Sequence, residues 1–254
     1  MEAHDYGDLA HYYDPAYASK TDLRDVGFYV QQAKKYGGPV LEIACGTGRV
    51  LLEIAKLDVE ITGVDFCENF LEILRSKNTG KNIALHYADM RDFDLGKKFA
   101  LVTIPFRPLQ HMYTFEDQVK ALTCARNHMA DDGVLVFDVF YPRWDLLLED
   151  LNQERFELEW QDRENPQRTI RRSFMRKEVN TFYQFFSGEF IFRTIENDQV
   201  VKEERSRLKM SFYTYLQMQA LLECCGLKIV EQYGSFDETP MGEGPEMIFV
   251  VKKA

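Results

Sequence analysis

The chain has 254 residues, enough for one large domain or for a domain carrying an insertion. Hydrophobic residues make up 45% and aromatics 13%, a share that supplies a substantial core and excludes both wholesale disorder and a disulfide-stapled scaffold. Acidic side chains number 41 against 31 basic ones, and the resulting net charge of −10 argues against a protein whose main task is to grip phosphate backbones.

In chain order, the opening Met1-Glu2-Ala3-His4-Asp5 is acidic and does not lead into an apolar segment. No run approaches the roughly 18 apolar residues of a spanning helix. The expectation is a soluble, cytoplasmic protein, monomer or homodimer, with neither membrane nor nucleic acid as partner. A helix starting near Asp22 carries Val26, Val30 and Ala33 on one face and stops at Gly37-Gly38-Pro39. The buried strand Val40-Leu41-Glu42-Ile43-Ala44 then runs into Gly46-Thr47-Gly48, after which Val50, Leu51, Ile54 and Ala55 resume helical spacing. Ile61-Thr62-Gly63-Val64 reads as a strand, Phe70, Leu71 and Leu74 as a helix face, and Ile83–Tyr87 and Phe99–Ile104 as further strands. A helix around Val119, Leu122 and Ala125 leads through Asp131-Asp132-Gly133 to the strand 134–139. Strands alternating with helices imply a parallel sheet covered on both faces.

From about Arg143 to Phe212 charged residues interleave with aromatics, and Asn197-Asp198 separates two strand-like runs, the pattern of an antiparallel insertion. Thr214-Tyr215-Leu216-Gln217 has the spacing of a capping box and opens a helix that ends at Gly226. Leu227–Val230 and Met247–Val251 supply the last two strands. The fold expected is α/β: a doubly wound, mostly parallel seven-stranded sheet with an antiparallel β insertion. Its expected divisions are a core with an N-terminal lid segment over 1–142, an insertion over 143–212 that is either core sheet or substrate lid, and a closing segment over 213–254. The five cysteines are odd in number and include no C-x-x-C pair, so reduced core thiols are expected and no metal site.

The turn Cys45-Gly46-Thr47-Gly48 follows one predicted strand and opens a predicted helix, where a ligand can approach glycine closely. Asp65 ends the next strand, 19 residues beyond Gly46, the spacing at which a carboxylate accepts hydrogen bonds from ribose hydroxyls. A dinucleotide fingerprint would carry a third glycine where Leu51 stands. S-adenosylmethionine brings an adenosine and a sulfonium instead of a pyrophosphate, and Glu42 suits a positively charged ligand.

Val40-Leu41-Glu42-Ile43-Ala44-Cys45-Gly46-Thr47-Gly48-Arg49 resembles motif I of the class I S-adenosylmethionine-dependent methyltransferases. Ala44 stands where that family has its first glycine, leaving slightly less room beside the methionine moiety. The resemblance makes Asp65 the ribose-binding acid, and it makes Ala88-Asp89-Met90 the adenine segment, in which an acid takes the exocyclic amine and the next side chain packs on the ring. Tyr12-Tyr13-Asp14 and Thr103-Ile104-Pro105-Phe106-Arg107 are similar to the small-molecule branch that includes glycine and amino-sugar N-methyltransferases. The cofactor contacts it implies are Tyr13, Glu42, Ala44, Gly46, Gly48, Asp65, Phe66, Asp89, Met90 and Ile104, with Tyr12 and Tyr13 as candidates to close over the cofactor.

The segment after the fourth strand is where that family's acceptor-facing residues lie. His111 is the candidate to take a proton from the acceptor, and Gln110 to approach the sulfonium side. Arg107 is suited to an anionic group of the substrate or to a neighbouring carboxylate. Ile104-Pro105-Phe106-Arg107 lacks the Asn/Asp-Pro-Pro-aromatic motif of DNA amine methyltransferases. The expected activity is methyl transfer from S-adenosyl-L-methionine to a nitrogen or oxygen of a small molecule. A nicotinamide-dependent oxidoreductase and a catalytically silent S-adenosylmethionine-binding subunit are the alternatives.

Overall fold

The computed structural model describes residues 9–20, 24–78, 83–148 and 151–254. The elements in chain order are α1 (Tyr13–Ala18), α2 (Asp25–Tyr36), β1 (Val40–Ile43), α3 (Leu51–Ile54), β2 (Ile61–Asp65), α4 (Glu68–Lys77), β3 (Ile83–Tyr87), β4 (Phe99–Ile104), α5 (Phe115–His128), β5 (Met129–Phe140), α6 (Trp144–Leu148), β6 (Glu154–Gln161), β7 (Thr169–Asn180), β8 (Phe185–Glu196), β9 (Gln199–Ser211), α7 (Tyr215–Cys224), β10 (Leu227–Tyr233) and β11 (Glu246–Lys253). The helix start expected near Asp22 and the acidic opening 1–5 lie outside the described residues. Cys45, Cys124 and Cys225 are buried, and all five thiols are free.

The chain divides into two compact units, Leu23–Pro142 with Ser211–Ala254, and the described part of Met1–Asp22 with Arg143–Met210. The first holds the seven-stranded sheet, ordered β10-β11-β5-β4-β1-β2-β3. β1 to β5 run parallel, and β11 is antiparallel to both of its neighbours. Alternation along the strands sorts the side chains into two cores. Leu41, Ile43, Val102 and Ile104 pack with Leu122 of α5 and Leu221 of α7, while Val40, Ile61 and Leu101 pack with Tyr29 of α2 and Leu51 of α3. The strand order reverses direction between β1 and β4, which opens a crevice at their carboxyl ends. Asp131-Asp132-Gly133, expected as a loop, forms an irregular stretch inside the longer β5, where the pairing to β4 jumps from Phe99–Met129 to Leu101–Val134.

The second unit contains the antiparallel sheet β6-β7-β8-β9. Asn197 and Asp198 join β8 to β9 with φ of 48° and 60°, the two consecutive left-handed residues of a tight hairpin. Arg193, Glu154, Glu203, Arg205 and Glu189 form a ladder of ion pairs across its strands. Residues 9–20, expected as an N-terminal lid segment of the α/β core, group with this unit. The Tyr12 ring stacks on Phe192 at 4.8 Å and its hydroxyl donates to Glu204 at 2.6 Å, both partners being insertion residues.

Gly63 on β2 is held to glycine by packing. A Cβ there would lie 2.6 Å from Leu51, 2.8 Å from Cys45 Sγ and 2.9 Å from Leu85. Gly63→Ala is therefore expected to cost about 1–3 kcal/mol by overpacking, read as a lowered midpoint in urea denaturation. An unchanged midpoint would mean that α3 shifts at no cost.

Candidate functional site

The chain leaves β1 through a turn in which Ala44, Gly46 and Gly48 all have positive φ, at 59°, 53° and 83°. Two backbone bonds close it, Cys45 N–H donating to Val64 and Gly48 N–H donating to Cys45. The two glycines serve different ends. A Cβ on Gly48 would fall 2.2 Å from Leu74 Cδ1, so this glycine lets α4 approach, while a Cβ on Gly46 would meet nothing within 4 Å. Gly46 thus turns a bare backbone towards open space, as a site for a closely held ligand requires.

Asp65 at the end of β2 ties the turn to its own strand. Its Oδ2 accepts from Gly46 N–H at 2.7 Å and its Oδ1 from Cys67 N–H at 2.8 Å. Burial raises its pKa, partly offset by these N–H donors. Glu42 is more extreme. It faces the side of the sheet covered by α2 and α3, is buried, and has an Oε2 without a hydrogen-bond partner. Loss of water pushes its carboxyl up to about 8 against the opposing pull of Arg49 and the Leu51 N–H.

Two further acids come from strands and one from a helix. Asp138, near the end of β5, accepts from the Tyr29 hydroxyl at 2.6 Å and from Phe106 N–H at 2.7 Å, both through Oδ1. Glu246, opening β11, pairs with Arg107, and Asp25, opening α2, pairs with Arg49 at 2.9 and 2.5 Å. Asp25, Glu42, Asp65, Asp138 and Glu246 are all buried, and two guanidiniums, Arg49 and Arg107, face them. Burial also raises the pKa of Asp138 and Glu246. Five buried acids thus face two guanidiniums, and burial of carboxylates in excess of their cationic partners is costly.

Residues 40–133 match a family model described as a methyltransferase domain. Over that segment the chain is similar to methyltransferases. It is similar to a dTDP-3-amino-3,6-dideoxy-alpha-D-glucopyranose N,N-dimethyltransferase of Streptomyces fradiae, with 31% identity over 54% of each chain. It is also similar to a dTDP-3-amino-3,4,6-trideoxy-alpha-D-glucopyranose N,N-dimethyltransferase of Streptomyces venezuelae, with 29% identity over 54% of this chain and 58% of that one. The matched segment thus spans about half the length of these relatives. The fold is that of an S-adenosylmethionine-dependent methyltransferase from Clostridium acetobutylicum, at a TM-score of 0.78 and 18% identity, covering 98% of this chain and 99% of the other.

The remaining residues singled out from the sequence fall into three groups. Asp89 follows β3, and its carboxylate takes the backbone and guanidinium of Arg91, which hold its pKa down; Met90 is buried in the core. Phe66 is exposed and stacks on Tyr87 at 5.6 Å. Ile104, expected at the cofactor, is fully buried, and on the acceptor side the Arg107 guanidinium is engaged with Glu246. Gln110 is also fully buried, donating to the Ser211 carbonyl at 2.6 Å and accepting from Phe140 N–H at 3.0 Å, so that both its polar ends are taken by backbone. His111 closes the short 3-10 turn Pro108–His111 and is half-buried. Tyr13 lies in the other unit, its ring 4.4 Å from Tyr17, and with Leu9, Tyr12, Arg172, Phe192 and Ser206 it lines a small pocket there. Among the described residues no cluster of three or more His, Cys, Asp or Glu side chains is placed to hold a metal, and no helix is long and apolar enough to cross a membrane.

The sequence places Asp138 near the end of the expected strand 134–139 without a role and gives no site role to Asp25, Tyr29 or Glu246. The available signal for Asp138 was an acid inside the apolar run Val136-Phe137-Asp138-Val139, the same pattern that marks Asp65. Nothing comparable surrounds Asp25, which opens an ordinary amphipathic helix.

Glu42 gives the site a pH dependence of definite sign. Its carboxyl ordinarily ionises near 4.5 and here at about 8. The stability tied to this group is therefore full below about pH 4.5 and lost as pH rises towards 8. A cation beside Oε2 favours the ionised form. Binding of S-adenosylmethionine is expected to release a proton and to tighten roughly tenfold between pH 6.5 and 8.5, measured calorimetrically in buffers of different ionisation enthalpy. The uncharged-sulfur product S-adenosylhomocysteine should show a smaller change, and Glu42→Gln should remove it. A flat profile in the unsubstituted protein would take Glu42 out of ligand binding.

Proposed function

We propose that the chain is an S-adenosyl-L-methionine-dependent methyltransferase acting on a nitrogen of a small-molecule acceptor, with nucleotide-linked amino sugars as the first class to test. The observation that carries this reading is the buried, unpartnered Oε2 of Glu42, two residues ahead of a turn whose Gly46 faces open space. That pairing fits a nucleoside bearing a positive charge. Support for nitrogen comes from the two Streptomyces relatives, both named as N,N-dimethyltransferases of dTDP-amino sugars.

S-adenosylmethionine supplies a methyl group on a sulfonium, which leaves as a neutral thioether. The work left to the chain is binding, alignment and exclusion of water. Glu42 meets the positive charge, and Asp65, with lone pairs beyond those taken by Gly46 and Cys67, accepts from ribose hydroxyls. Asp89, Met90 and Phe66 hold the adenine. His111 takes the proton that the acceptor nitrogen must lose, while Arg107 and Gln110 keep its segment in place.

The deciding experiment titrates the protein calorimetrically with S-adenosylmethionine, S-adenosylhomocysteine and NAD. It then offers methyl-labelled donor with dTDP-3-amino-3,6-dideoxy-alpha-D-glucopyranose or with a fractionated metabolite extract. A labelled N-methyl product establishes the reading. NAD binding without S-adenosylhomocysteine binding makes the chain an oxidoreductase, and donor binding without labelling of any fraction makes it a silent subunit.

Two substitutions separate binding from turnover. Asp65→Ala is expected to weaken S-adenosylmethionine binding by about 1–3 kcal/mol, with Asp65→Asn in between; equal affinity in all three proteins removes Asp65 from the site. His111→Ala is expected to lower kcat well beyond any change in donor affinity, and full activity would make this histidine structural.

A further inference from the structure

Beyond β4 the chain makes an unusual move: Phe106 and Arg107 are consecutive non-glycine residues in the left-handed region, with φ of 67° and 72°. Each such residue is strained and persists only where its surroundings hold it. The holding group is identifiable. Asp138 is fully buried, and its Oδ1 accepts the Phe106 N–H at 2.7 Å while the Tyr29 hydroxyl, from α2, donates to the same atom at 2.6 Å. The Phe106 ring then lies within cation–π distance of two guanidiniums, Arg49 at 4.8 Å and Arg107 at 5.5 Å from its centroid. Arg49 directly follows the glycine turn and is tied to Asp25, and Arg107 opens the acceptor-side segment and is tied to Glu246. One peptide N–H therefore sets the ring that meets a guanidinium from each half of the site.

We infer that Asp138 is a positioning residue, which by accepting the Phe106 N–H holds the Arg49–Phe106–Arg107 stack and so couples the glycine turn to the acceptor-side segment 105–111. This coupling rests on the donor reading above, whereas the anchoring of Phe106 does not. Tyr29 orients the carboxylate, and Asp138 touches no reacting atom. An asparagine preserves the accepting oxygen. An alanine removes it and leaves the strained pair unheld.

Hydrogen exchange followed by mass spectrometry, with S-adenosylhomocysteine as the probe, tests this on the full chain. In Asp138→Ala, exchange of the peptide covering 105–111 is expected to quicken by roughly tenfold or more. Peptides covering 40–49 and 61–67 should be unchanged, and Asp138→Asn should restore protection. Saturating S-adenosylhomocysteine should slow exchange of 105–111 in the unsubstituted protein and in Asp138→Asn, but not in Asp138→Ala. Should the alanine variant fail to fold, Tyr29→Phe takes its place with a smaller expected increase, roughly threefold, in the same peptide alone. Unchanged exchange of 105–111, equal loosening of all peptides, or failure of asparagine to restore protection overturns the inference. Equal slowing by the probe with and without the Asp138 anchor overturns the coupling. If the unsubstituted protein does not bind S-adenosylhomocysteine, the donor reading fails and the coupling with it, while the exchange rates without probe still decide the anchoring.

Discussion

The α/β unit is organised around a surplus of buried carboxyls at the carboxyl ends of its parallel strands. Five acids there face two arginines, and the arrangement departs from the usual rule that a buried charge brings its own partner. Asp25 and Glu246 are paired, Asp65 is satisfied by backbone donors, Asp138 takes both of its donors on Oδ1, and Glu42 Oε2 and Asp138 Oδ2 are left without a hydrogen-bond partner. Burial answers by raising the pKa of Glu42, Asp65, Asp138 and Glu246, since protonation is the cheapest relief for a carboxylate out of water. These buried acids set the electrostatic character of the crevice.

The glycine turn meets this constraint sterically. Gly48 and Gly63 are filled against, one by Leu74 and the other by Leu51, Cys45 and Leu85, so they serve the packing of α4 and α3 on the sheet. Gly46 alone of the three is open. Ala44 adopts φ +59° with a Cβ in place, a conformation that costs an L-residue about 1–2 kcal/mol. The turn tolerates that cost because Cys45 N–H is bonded to Val64 and Gly46 N–H to Asp65, which fixes the residues on its far side. Asp65 is thus a brace for the turn as well as a candidate ligand contact.

Most of the architecture was legible because it is periodic. The switch from β1 to the glycine turn, the acid ending β2, the Thr214 capping box and the Asn197-Asp198 hairpin all depend on neighbours in sequence, and local chemistry is what a sequence displays. Non-local ties were not legible. Gln110 read as a polar residue on a loop near the acceptor, yet its amide bridges Ser211 and Phe140 across 101 and 30 residues of chain. Arg107 read equally well as a substrate clamp or as the partner of a carboxylate, and the choice was made by Glu246, 139 residues away. The N-terminal tyrosines read as candidates to close over the cofactor, while Tyr12 is claimed by Phe192 and Glu204 of the insertion.

The placement of backbone strain completes the argument. Among the described residues, positive φ at non-glycine positions is mostly found in tight turns, such as Asn197-Asp198 and Gln184. The exceptions within the sheet's crevice are Ala44, immediately after β1, and Phe106 with Arg107, after β4. These are the two strands between which the order of the sheet reverses. Strain held at such a point has to be held by something rigid, and here the holders are buried acids: Asp65 from β2 on the first turn, Asp138 from β5 on the second. The carboxyls that make the crevice negative are therefore the same groups that keep its two rims in shape. A ligand that altered their charge would act on the geometry of both rims at once, so charge recognition and shape in this fold are properties of one set of side chains.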